Sequence, residues 1–142
     1  MWLGFVGGAV FYALWPFVYL AGTPDSDALP AAVRSGLFFA AAGALVSSFI
    51  ARRWWVNSLA AARLSAGTAA ERDNLRARLT AGCIVTWGLA ELVPIMGLVG
   101  AIVWRDSAAG LPFAIVGLLT LYWHRPAVWP LDAIEPVAGR AA

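Results

Sequence analysis

The sequence predicts an all-α, polytopic membrane protein of four transmembrane helices, both termini in the cytoplasm, with helices two and three extended as a cytoplasmic helical hairpin. Three observations predict it. Hydrophobic residues make up 61% of the 142 and charged ones 13%, about half the charge that a water-facing domain carries. The apolar residues fall in four long stretches separated by short polar segments. The arginines cluster on alternate connections.

The first stretch, Leu3 to Ala21, has no basic leader, outruns a signal-peptide core and contains Pro16, so a retained helix is expected. A polar turn, Gly22 to Asp27, follows. The second runs from Pro30, tolerated in a first helical turn, to Ala51, and meets the headgroup zone at Arg52-Arg53-Trp54-Trp55. From Val56 to Arg78 the chain is polar but rich in helix formers. Gly67 reads as a stop and Thr68-Ala69-Ala70-Glu71 as a capping box, so the second helix is expected to reach about Ser65 and the third to begin near Ala69. The third apolar stretch is Leu79 to Trp104, Arg105-Asp106-Ser107 is a tight turn, and the fourth, Ala108 to Trp123, is short and stopped by Pro126. The expected domains are a transmembrane unit over residues 1–126 and a cytoplasmic tail over 127–142.

Orientation follows from arginine. The connection between spans two and three carries Arg52, Arg53, Arg63, Arg72, Arg76 and Arg78, and the tail adds Arg125 and Arg140. The opposite connections hold Arg34 and Arg105. This positive-inside bias puts both termini in the cytoplasm of a bacterial inner (plasma) membrane. The arginines are not interleaved on a basic face, so no nucleic-acid partner is expected. The lone Cys83 excludes a disulfide framework and a cysteine metal site. No Ser/His/Asp set, phosphate loop or metal cluster occurs, so neither an enzyme nor a cofactor is expected.

One carboxylate interrupts the apolar stretches. Glu91 lies at the centre of Leu79–Trp104, where a charge costs about 2.5–3.5 kcal/mol. The arginines and His124 are expected at the edges, and desolvation without a counter-charge favours the neutral carboxyl. At 100° per residue Thr80, Trp87 and Leu98 share its face, whereas Gly82, Gly97 and Gly100 form an opposite seam for close helix approach, with Gly43 and its small neighbours as the partner surface. Pro94 has no N–H, so the Ala90 carbonyl lacks its helical donor and could accept the Glu91 proton. Tyr12, near the middle of the first span, is the alternative hydrogen-bond partner.

The stretch Arg76 to Gly82 followed by Gly88-Leu-Ala-Glu91-Leu-Val-Pro94-Ile-Met-Gly97-Leu-Val99 resembles the second helix of the ATP synthase subunit c. There a proton- or sodium-binding carboxylate follows a small-residue step, and Gly-Leu-Val comes six residues later. By that resemblance Glu91 is the reversibly protonated group. The likeness covers about residues 76–100. Ala40-Ala41-Ala42-Gly43-Ala44 replaces the family's Gly-x-Gly-x-Gly packing, the hairpin tip is longer, and the first and fourth spans have no counterpart in the two-helix form.

Three functions are therefore expected to compete: a c-like proton-binding component of a membrane complex, an accessory subunit in which Glu91 is a hydrogen-bonding anchor, and a small-molecule transporter. Besides the bilayer, the expected partners are other membrane subunits or further copies of the chain. Trp2, Trp54, Trp55, Trp104 and Trp123 read as interfacial anchors, Trp15 and Trp87 as packing residues, Ser47 and Ser48 as bonded to their own helix, and Cys83 as a small packing side chain.

Overall fold

A computed structural model describes residues 1–21, 31–63 and 68–126. The expected turn at Gly22 to Asp27, the helix-stop Gly67 and the tail 127–142 lie outside these. The described chain is all-α: α1 Trp2–Tyr19, α2 Ala31–Arg63, α3 Ala69–Trp104, a 3-10 turn Ser107–Gly110 and α4 Leu111–Trp123. The first three are long and apolar enough to cross a membrane; α4 is shorter.

α3 starts where the sequence says it should. The Thr68 side chain accepts from the Glu71 N–H at 3.2 Å and the Glu71 carboxylate accepts from the Thr68 N–H at 2.7 Å, closing the capping box. It ends at Arg105, whose φ of 52° is left-handed and turns the chain back. Asp106 then accepts from the Ala108 N–H at 2.9 Å and opens the 3-10 turn, so the expected fourth helix begins as a tighter one. Pro112 in the first turn of α4 lacks a donor that this position does not use.

α3 is the central element, with α1, α2 and α4 packed around it. Trp55 lies over Gly82, Ala41 packs with Val93 and Arg34 lies over Trp104, so α2 runs antiparallel to α3. Their hairpin continues beyond the apolar stretches through a buried Leu59, Leu75 and Leu79. Phe5 packs on Trp87 and Gly8 faces Glu91, so α1 runs parallel to α3. α4 returns antiparallel, with Gly110 against Gly97 and Gly117 against Pro94.

Two expectations need correction. Trp15 is 41% exposed and joins Phe11 and Tyr19 in an aromatic ladder on the outer face of α1, because residues four apart share a face. His124 follows the last residue of α4, as expected, but it is fully buried there, since the short α4 ends level with Trp87 and the helix terminus is enclosed by α2 and α3.

Candidate functional site: a carboxylate between two helices

Glu91 is half-buried on the side of α3 that α1 covers. Its Oε1 occupies the space where a Cβ on Gly8 would stand, so the absence of a side chain at Gly8 is what admits the carboxyl. The Tyr12 ring, one turn along α1, borders the same spot, with Cε2 3.7 Å from that Cβ position. Tyr12 and Glu91 are thus neighbours, but neither donates to the other, and Glu91 makes no hydrogen bond or ion pair among the described residues. Toward the start of α1, Glu91 borders an open pocket of about 260 Å³ with Met1, Gly4 and Phe5.

Sequence counting put Glu91 midway along its span. Packing gives its level more closely. Trp2 donates to the Leu121 carbonyl at 3.0 Å, so α1 starts where α4 ends. Gly8 lies six residues into α1, about 9 Å at a 1.5 Å rise, and Tyr19 lies about 17 Å further on. The carboxyl is therefore nearer the end of the bundle that carries the Arg-rich hairpin.

Pro94 is buried against Gly117, and Ala90 has no exposure. The proline therefore serves the α3–α4 contact as well as leaving the Ala90 carbonyl without a helical donor. The glycines expected as a seam divide among different neighbours. Gly82 takes the Trp55 ring of α2, Gly97 takes Phe113 of α4 and the Gly110 carbonyl of the 3-10 turn, and Gly100 makes room for Trp104 of its own helix. Gly43 has open space where a side chain would stand, so the structure does not bring it into that seam.

A polar node that sequence reasoning missed sits one helical turn from Glu91. Trp87 Nε1 donates to the His124 carbonyl at 2.8 Å, and His124 Nε2 lies 3.2 Å from Ser48 Oγ. Ser48 gives its single proton to the Leu45 carbonyl at 2.7 Å, as expected of a helical serine, so the imidazole is the donor in the second bond. Burial, with the nearby Arg52 guanidinium, pushes the His124 imidazole down to about 4. A neutral ring supplies no counter-charge to Glu91. The signals in the sequence were the short fourth span and a histidine at its C-terminal cap.

The described residues contain no cluster of His, Cys, Asp and Glu that could hold a metal. The chain matches no family model, no characterised protein and no solved structure.

Proposed function

We propose that this chain is a four-span membrane protein that binds a proton at Glu91, as a subunit c-like component of a larger membrane complex. The observation that carries it is a carboxylate inside an apolar helix, with no bonded cation among the described residues and bordered by an open pocket at the start of α1. Such a group is stable when neutral and can ionise when water or a cation approaches.

In this reading the 3-10 turn and α4 together form the fourth span. Their lengths add to about 28 Å against about 30 Å of hydrocarbon. The arginine bias places the hairpin tip and both termini in the cytoplasm. The cavity at the start of α1 then faces that side, and proton exchange runs through it, because α1 lies over the carboxyl.

The anchor reading of Glu91 gains nothing from its contacts, since the carboxyl is bonded to no partner among the described residues. A transporter would need further polar side chains converging on the pocket, and besides Glu91 its described lining, Met1, Gly4 and Phe5, brings only the Met1 α-amino group.

Carbodiimide labelling of the membrane-embedded chain tests the proposal, because the reagent attacks a protonated carboxyl in an apolar setting. Labelling should map to Glu91, slow as pH rises, and vanish in Glu91→Gln. Equal labelling of Glu91→Gln, or none in the native chain, would rule the proposal out.

A further inference from the structure

We propose that the groove between α2 and α4 is a phospholipid site, with one acyl chain in the groove and the phosphate at Arg34. The inference rests on the chain lying in a bilayer and is independent of Glu91.

α2 and α4 both pack on α3 but hardly on each other, which leaves a slot of about 190 Å³. Val93 of α3 forms its floor, Ala42 and Leu45 line the α2 side, and Phe113 and Val116 line the α4 side. Small side chains at Ala41 and Ala42 create the space, since larger ones there would fill it. At one end Phe38 and Phe113 pack with ring centroids 4.9 Å apart.

Arg34 continues the same stripe of α2. Residues 34, 38, 41, 42 and 45 fall on one helical face. From Arg34 to Leu45 the helix rises about 16 Å, which is the depth of one leaflet of a hydrocarbon core about 30 Å thick. Arg34 is exposed, and its guanidinium lies over the Trp104 ring, 5.3 Å from the centroid. A guanidinium at that height matches a phosphate through charge and a forked set of donors, and an indole beside it suits the interface.

The shape selects the occupant. A second transmembrane helix has a diameter of about 10–12 Å and cannot enter a slot of this volume, whereas a chain of methylenes can. A headgroup at Arg34 and a tail running toward Leu45 use both the cationic rim and the apolar slot.

Native mass spectrometry of the full chain tests this, after exchange from vesicles of equal phosphatidylglycerol and phosphatidylethanolamine into mild detergent. One phospholipid per chain should survive. Arg34→Gln should lower retention about tenfold, the loss expected for one charge-assisted contact. Ala42→Phe, which fills the slot from an exposed position, should lower it at least as much. Glu91→Gln should leave it unchanged, which separates this site from the proton-binding one. Should a variant fail to fold, a phospholipid carrying a photoreactive acyl chain still tests the native chain, and its crosslinks should fall on the α2 and α4 peptides that line the slot. Retention indifferent to both variants, occupancy by detergent alone, crosslinks elsewhere, or a dimer that Ala42→Phe dissociates would each overturn the proposal.

Discussion

Glu91 and Gly8 form a pair in which one residue's missing side chain makes room for the other's carboxyl. Gly8→Ala puts a methyl group where Oε1 now lies, so the carboxyl must swing away or α1 must shift. Carbodiimide labelling of this variant is expected to change several-fold in rate while Glu91 stays the labelled residue; an unchanged rate would show that Gly8 does not set the position of the acid. His124 makes a separate prediction. An unfolded chain protonates its histidine near pH 6.5, while the buried imidazole resists until about 4. The unfolded form therefore binds more protons between these values, and stability falls as pH drops through that window and is level above it. Thermal unfolding in detergent between pH 7 and 4.5 should show this slope, and His124→Gln should flatten it.

At the scale of elements, the limits of α3 were legible because they rest on local chemistry. Thr68 and Glu71 stand three apart before an apolar run, and each side chain needs only its neighbour's backbone. Thr68→Ala is expected to cost about 1 kcal/mol, read as earlier fraying of the hairpin base by hydrogen exchange. The pairing of helices was less legible. Gly82, Gly97 and Gly100 share a face in sequence, yet each meets a different neighbour, because what fills the space beside a glycine is chosen by tertiary packing. Gly97→Ala would place a methyl 2.9 Å from the Gly110 carbonyl, between two backbones that cannot give. A loss of about 1–3 kcal/mol is expected from such overpacking, measured by unfolding in detergent, whereas Gly43→Ala meets open space and should cost little.

At the scale of the molecule, composition and the spacing of the apolar stretches were enough for an all-α chain of apolar helices, since 61% of its residues are hydrophobic and few are charged. Composition could not show that α1 and α4 both begin or end level with Trp87. That register comes from contacts such as Trp2 with Leu121 and Trp87 with His124, which are distant in sequence. It buried His124 at the end of α4 and brought Glu91 toward one end of the bundle. The proposed topology predicts that cysteines at Ala70 and Asp106, in a Cys83→Ala background, react with an impermeant maleimide from opposite sides of the membrane. Reaction from the same side would remove the four-span arrangement.

The most direct test of proton binding is an infrared pH titration of the chain in lipid bilayers, with Glu91→Gln subtracted as reference. The account predicts a protonated-carboxyl C=O band assignable to Glu91 at pH 7 that disappears only at more alkaline pH. A Glu91 already ionised at pH 7, showing carboxylate bands alone, would contradict it.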